Sequence, residues 1–388
     1  MCIRDRYPLW PGEQGIDFQP IFRHVEELLV HNRSLADIDR HFGREILYAV
    51  NRTGVYGSAV VRDRYRVTPT ESFLVDALEL LQTEEYRWPS LRLAVNQKGF
   101  GYFGWYGDWK GCNEQNEREG GSVPLFTTCA STACSHSFPS PAYMTIINAQ
   151  PNALGWLQML GQFSGDYPHE KQIRKVVWRG GLTENVPSKV RDSVRWRLVK
   201  TVHELEDPSA KELFDVGLTG IPEFIQAQID ISADEVGGVA PGIASMNDFQ
   251  QYSAILDMDG NSWSSRFSTL LCYNSVAIKV EPAYADHFFY DLIPWKHYVP
   301  VKFDLSDLVE NVRFILDPAN EAILHDMVAS ANQWCMERLT RNALMEDQLT
   351  MWDRYVAELN RSDPSWPSNW HEVHLRHSHE LMPLTSKP

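Results

Sequence analysis

A short apolar strand, Ser253-Ala-Ile-Leu256, runs straight into a polar loop that holds Gly260, Ser262, Ser264, Ser265 and Arg266. An apolar, helix-compatible segment through Tyr273 follows. Strand, tight loop and helix start in that order place this half of the chain in the α/β class. The same order suits anion binding. Free N–H groups and the positive end of a helix dipole face the loop, and an arginine just inside the first turn adds a fork of donors. Gly260 lets the backbone approach an anion closely. The spacing is neither the P-loop pattern nor G-x-G-x-x-G, so any phosphate cradle here is of another kind.

The alternation extends through the second half. Val176–Trp178, Phe249–Leu256 and Val276–Val280 read as strands, Arg191–Val202 and Arg266–Tyr273 as helices, and Tyr298–Val301 as a short edge segment. Helices are predicted over Asp304–Leu316, Asn320–Leu339 and Ala343–Leu359. In the first half, residues 17–50 read as two helices, 55–62 and 91–95 as strands, and Glu71–Gln82 as a helix between them, a βαβ unit. Residues 99–142 form a long loop with an aromatic patch at Tyr102–Trp109, and the proline-bearing tail 361–388 reads as frayed. The chain divides into an N-terminal helical segment (1–50), a first α/β domain (51–170), a second (171–342) and a C-terminal helix with its tail (343–388).

Composition narrows the partners. A net charge of −15 argues against nucleic acid, which needs a basic footprint, but leaves room for a small phosphorylated ligand held by a local arginine cluster. No apolar run is long enough to span a bilayer. The first residues show no signal-peptide core, and residues 1–6 read as non-native. Of the six cysteines, Cys129–Cys134 or Cys112–Cys134 is a plausible disulfide in an oxidising compartment, while Cys272 and Cys335 sit in apolar helical contexts. Asn32, Asn51 and Asn360 stand in Asn-x-Ser/Thr triplets, a weak sign of a secretory setting.

A basic set, Arg179, Arg191, Arg195, Arg266 and Lys279, gathers in the second half. Arg179, Arg191 and Arg266 fall at strand-to-helix joints. In a parallel sheet these lie along the carboxyl edge, where ligands bind, so their guanidinium groups are expected to share one cavity and hold a diphosphate. Trp178-Arg-Gly-Gly181, Arg191-Asp192, Asp257–Phe267, Lys279-Val-Glu281, Phe289–Val301 and Asp304–Leu308 together resemble glycosyltransferase family 90. That family takes in protein O-glucosyltransferases and O-xylosyltransferases, capsule-associated xylosyltransferases and lipopolysaccharide-modifying domains. The resemblance is strong over residues 170–345, weaker over 85–170 and absent before.

The resemblance implies a GT-B architecture: two Rossmann-like domains facing a cleft, with the last helix crossing back to the first. It implies inverting transfer of glucose or xylose from UDP-glucose or UDP-xylose to a hydroxyl of a protein or glycan, in the endoplasmic reticulum or Golgi lumen. The UDP-sugar is a co-substrate, no cofactor is expected, and the chain is expected to be a monomer. By matched position the donor residues are Arg179, Gly180, Gly181, Arg191, Asn261, Ser262, Ser264, Ser265, Arg266 and Lys279. Gly181 stands where the family carries a donor-contact serine, which leaves that contact to backbone N–H or removes it. Asp257-x-Asp259 has the look of a metal-binding pair but reads as a strand end, because arginines can absorb the charge of the departing diphosphate.

The acceptor needs a general base. Aligning 89–98 with the family's strand puts Gly99 at the place of the usual Asp. Asp108 is then the expected base, with Asp166 and Glu114 behind it. Trp105, Trp109, Phe138 and Tyr143 are candidates for the acceptor groove, and His297 reads as a structural or ribose-side residue. A catalytically inactive nucleotide-sugar- or glycan-binding protein of the same fold is the alternative.

Overall fold

The computed structural model describes residues 45–51, 54–58, 64–84, 86–97, 100–105, 125–127, 129–131, 137–183, 187–362 and 381–383. Contacts divide the chain into two units. One takes in residues up to 149, 285–291 and 341 onward; the other takes in 150–284 and 292–340.

The first unit carries a six-stranded mixed sheet. Its order is β13 (Leu381–Pro383), β2 (Gly54–Ser58), β1 (Glu45–Asn51), β3 (Phe100–Trp105), β4 (Leu125–Thr127) and β6 (Ser137–Pro139); β5 (Ala130–Ser131) lies outside it. β1 is antiparallel to both neighbours, and β3, β4 and β6 run parallel. The helices are α1 (Arg64–Thr83), α2 (Pro89–Gln97), α3 (Tyr143–Asn148) and, from the far end of the chain, α11 (Arg341–Ser362). α11 packs on α1 and α2. Trp88 Nε1 donates to Thr350 Oγ1 at 3.0 Å, and Asp353 Oδ1 accepts from Leu91 N at 2.8 Å. That carboxylate satisfies an N–H left open in the first turn of α2. Burial raises the Asp353 pKa, against the backbone bonds that lower it.

Three expectations change here. Residues 91–95 belong to α2, not to a strand: Trp88, Leu91 and Val95 are buried at helical spacing, while Leu93 is 52% exposed. Residues 45–50, expected as helix, belong to β1, and 17–44 lie outside the described residues. The expected parallel βαβ unit is therefore a mixed sheet with an antiparallel half. The tail also contributes structure, since β13 pairs with β2 at the sheet edge, where Pro383 is tolerated.

The second unit holds a five-stranded, wholly parallel sheet in the order β12 (Val299–Val301), β10 (Val276–Val280), β9 (Tyr252–Asp257), β7 (Ile173–Gly181) and β8 (Phe214–Gly220). Its helices are α4 (Ala153–Asp166), α5 (Val194–His203), α6 (Pro208–Lys211), α7 (Glu223–Gln226), α8 (Phe267–Leu270), α9 (Leu308–Leu316) and α10 (Glu321–Arg338); β11 (Tyr284–Ala285) lies where the two units divide. Val176, Trp178, Leu256, Ile278 and Val299 form the centre of the core. Every residue of β10 is buried, as a parallel strand covered on both faces requires.

The sequence reading misses β8 at the sheet edge, although Phe214, Val216 and Leu218 alternate with Asp215, Gly217 and Thr219 as in a half-buried strand. The helix expected over 266–273 is a single turn, so its dipole contributes little to any anion site. Cys272 and Cys335 form a disulfide that joins the segment after α8 to α10, with Cα atoms 5.7 Å apart. Of the cysteines expected to pair, Cys129 is buried, and Cys112 and Cys134 lie outside the described residues. Among the described residues no helix is long and apolar enough to cross a membrane.

Candidate functional site

In the second unit the strand order reverses between β7 and β9. The chain leaves β7 toward β8 on one side and later returns to place β9 on the other. The loops after two such strands turn away from each other and open a crevice at the carboxyl edge. β7 ends there in Gly180-Gly181, followed by Leu182-Thr183, and β9 ends in Asp257, followed by the loop 258–266.

A buried charge cluster stands at these strand ends. Lys279, in the fully buried β10, places Nζ 2.8 Å from Asp257 Oδ2 and 3.1 Å from Asp259 Oδ1. Burial works against the ammonium, but the two carboxylates win and raise its pKa. Asp259 is pushed up by its own burial, although Lys279 and the Tyr284 N–H pull the other way. Its Oδ2 accepts from Ala283 N and Tyr284 N at 2.9 and 3.1 Å. Ser264 Oγ donates to Asp257 Oδ1 at 2.5 Å. The Asp-x-Asp pair is thus the mount for a lysine, whose ammonium bridges the two carboxylates. Among the described residues no group of three His, Cys, Asp or Glu is arranged to hold a metal ion.

The arginines divide into two sets. Arg179 donates to Pro241 O, Trp178 O and Asp215 O, and pairs with the Asp215 carboxylate. Tyr252 donates to the other oxygen of Asp215, and burial together with that bond pushes the phenol up to about 12. Arg191 bonds Asp230 O at 2.9 Å and Glu235 Oε1 at 3.0 Å, in an exposed pair over the Trp196 ring. Arg179 and Arg191 therefore each pair with a carboxylate on another element, Arg179 in a partly buried contact and Arg191 in an exposed one. Arg266 stays at the crevice. Its Nη1 donates to Arg179 O at 2.8 Å, and its Nε lies 3.8 Å from Asp257 Oδ1. Arg195, in the first turn of α5, reaches the same place: Nε donates to Asp259 O at 3.0 Å and Nη1 to Gly181 O at 2.8 Å. Among the described residues three cations (Arg195, Arg266 and Lys279) thus meet two carboxylates, an excess of positive charge suited to an anionic ligand.

The sequence profile of Glycosyl transferase family 90 matches residues 105–381. The chain belongs to this family. Protein O-glucosyltransferase 3 of Rattus norvegicus is 26% identical over 290 residues, 74% of this chain and 51% of the relative. Protein O-glucosyltransferase 2 of Danio rerio is 27% identical over 286 residues, 71% of this chain and 48% of the relative. Protein O-glucosyltransferase 1 of Homo sapiens is 28% identical over 129 residues, 33% of this chain and 31% of the relative. The chain spans about half the length of the first two of these curated relatives.

The remaining family 90 positions are placed as follows. Gly180 is tight: a Cβ there would meet Trp178 Cζ2 at 2.8 Å. Gly181 is open, with nothing nearer than Gly220 O at 3.9 Å, and its carbonyl is held by Arg195. Ser262 is buried, its carbonyl accepting from Gly260 N at 2.9 Å, and Asn261 and Ser265 are half-buried in the same loop. Asp108, Glu114, Trp109 and Gly99 lie outside the described residues, and the helical state of 89–97 removes the strand on which the Gly99 alignment rested. Asp166 ends α4 exposed and accepts from Gln162 one turn back. Trp105 lies in β3, Phe138 in β6 and Tyr143 in α3. His297 Nδ1 accepts from Ile293 N at 3.0 Å and closes the turn before β12, a structural place.

Arg195 is the crevice residue that motif reading left without a role. Its signal was local: Ser193 caps α5, accepting from Trp196 N, which sets residue 195 in the first turn and leaves 191 in the 3-10 stretch before it.

Proposed function

We propose that this family 90 chain is an inverting, metal-independent glycosyltransferase of GT-B architecture, which moves glucose or xylose from a UDP-sugar to a hydroxyl of a protein or glycan acceptor. One observation carries the reading. At the reversal of strand order in a parallel sheet, two partly buried guanidinium groups and a buried ammonium stand against two carboxylates among the described residues. A diphosphate that leaves a sugar gains negative charge, and preformed cations in a place of low polarity stabilise it without reorganising. The names of the relatives support a protein hydroxyl as acceptor and glucose as the transferred sugar. The Cys272–Cys335 disulfide favours an oxidising lumen, endoplasmic reticulum or Golgi, as the place of action.

Within this reading Arg266 faces the diphosphate. Arg191 can join it, because its exposed pair with Glu235 is worth at most about 1 kcal/mol and gives way to a ligand. Asp108 serves as the base that takes the acceptor proton. The test is a panel of UDP-sugars offered with a protein acceptor, with the product mass read by mass spectrometry. The expected result is one added hexose or pentose, unaffected by EDTA. Asp108→Asn should abolish transfer and keep UDP binding. Absence of both UDP binding and turnover would refute the assignment; binding without turnover would favour an inactive binding protein.

A further inference from the structure

Arg195 is distinguished from the other arginines by what it does not touch. Its guanidinium is fixed from two sides by main-chain carbonyls, one from the loop after β7 (Gly181 O) and one from the loop after β9 (Asp259 O). Among the described residues no carboxylate lies within ion-pair distance of it, whereas Arg179 and Arg191 each have one. The third nitrogen, Nη2, faces Gly260: a Cβ on that glycine would sit 2.7 Å from Nη2 and 2.9 Å from Thr183 Oγ1. Thr183 Oγ1 is buried and has no hydrogen-bond partner among the described residues. An arginine nitrogen and an unpartnered threonine hydroxyl therefore both pack against the Cα of Gly260, an approach that any side chain at 260 would block. Burial, followed by the neighbouring charge of Arg266, lowers the Arg195 pKa to about 10, the direction expected where cations gather short of counter-charge.

We propose that Arg195 and Thr183, converging beside Gly260, bind a phosphoryl oxygen of the nucleoside diphosphate, so that Arg195 and Arg266 form the diphosphate clamp of this chain. The proposal rests on the reading of this crevice as a nucleotide-sugar site and adds two residues to it. A rigid guanidinium offers planar donors to phosphate oxygens, and the hydroxyl supplies a further donor at a fixed angle. The two carbonyl bonds keep the plane of Arg195 in place before the ligand arrives, which spares the ordering cost on binding.

The test is the affinity of the full chain for UDP and for uridine, measured by competition in wild type, Arg195→Gln, Arg195→Lys and Thr183→Val. The decisive quantity is the advantage of UDP over uridine. A lost charge-assisted contact should cut that advantage about tenfold to a hundredfold in Arg195→Gln, and by a smaller factor in Thr183→Val, with uridine affinity unchanged. Arg195→Lys should recover part of the loss. Melting temperature without ligand reports on folding, and Thr183→Val, which keeps side-chain shape, carries the test if Arg195→Gln does not fold. Equal weakening of UDP and uridine would show that Arg195 only positions the two loops and would overturn the proposal, as would an unchanged UDP advantage in both Arg195→Gln and Thr183→Val. Wild-type protein that binds no UDP would instead refute the nucleotide-sugar reading itself.

Discussion

Reduction of the Cys272–Cys335 disulfide should destabilise the second unit by an amount that follows from chain length. The bridge spans 63 positions. Closing a loop of that size in the unfolded chain removes conformational entropy worth about 4 kcal/mol at 25 °C. A unit of this size shifts by about 2–4 °C per kcal/mol, so the melting temperature should fall on the order of 10 °C. Reduction of the wild-type protein is the cleanest perturbation. Both cysteines are fully buried, and replacing them by alanine would add cavity costs to the entropic one. The assay is thermal unfolding of oxidised and reduced protein, with alkylation and mass spectrometry to count free thiols in each. A fall of less than about 2 °C in protein shown to have lost the bridge would refute the entropic reasoning. Free thiols at both positions in protein secreted from cells would remove the bridge itself, and with it the support for an oxidising compartment.

Three further outcomes are expected. Lys279→Met should destabilise by about 3–5 kcal/mol in urea unfolding, because Asp257 and Asp259 would be left buried without their cation; a loss under 1 kcal/mol would show that the cluster is not a coupled unit. Gly181→Ser should fold with little change in melting temperature, since a Cβ there meets only Gly220 O at 3.9 Å, whereas Gly180→Ser forces the Trp178 ring to move and should lose about 1–3 kcal/mol; equal melting of the two variants would contradict this. Burial, and next the stacked His325 ring, lowers the pKa of His169, so below its ordinary range the unfolded chain takes up the proton more readily than the native protein. Stability should therefore drop as pH falls through about 6.5, and His169→Gln should flatten that slope in unfolding curves recorded between pH 5 and 8; an identical slope in the variant would locate the effect elsewhere.

Element by element, the chain was legible where one periodicity stood alone. Val276–Val280 reads as a buried strand because five apolar or aliphatic-stemmed residues in a row have no helical alternative of that length, and the strand is found at those bounds. Leu91-Arg-Leu-Ala-Val95 satisfies period two and also an i, i+4 pair, and the choice fell to α11, which packs on this segment and whose Asp353 accepts from the Leu91 N–H. Cys272 and Cys335 carry no spacing signal, since their approach depends on where α10 lies against the sheet.

The same division holds for the site. Local order along the chain was enough to mark the α/β alternation, the polar loop after β9 and the basic character of its surroundings, because strand, loop and helix propensities act over neighbouring residues. Which cation serves which partner was settled by folding alone. Arg179 and Arg191 meet the carboxylates of Asp215 and Glu235 across 36 and 44 positions, and Arg195 meets the main-chain carbonyl of Asp259 across 64. Charges choose their partners through space, at distances of a few ångströms, and separation along the chain does not encode them.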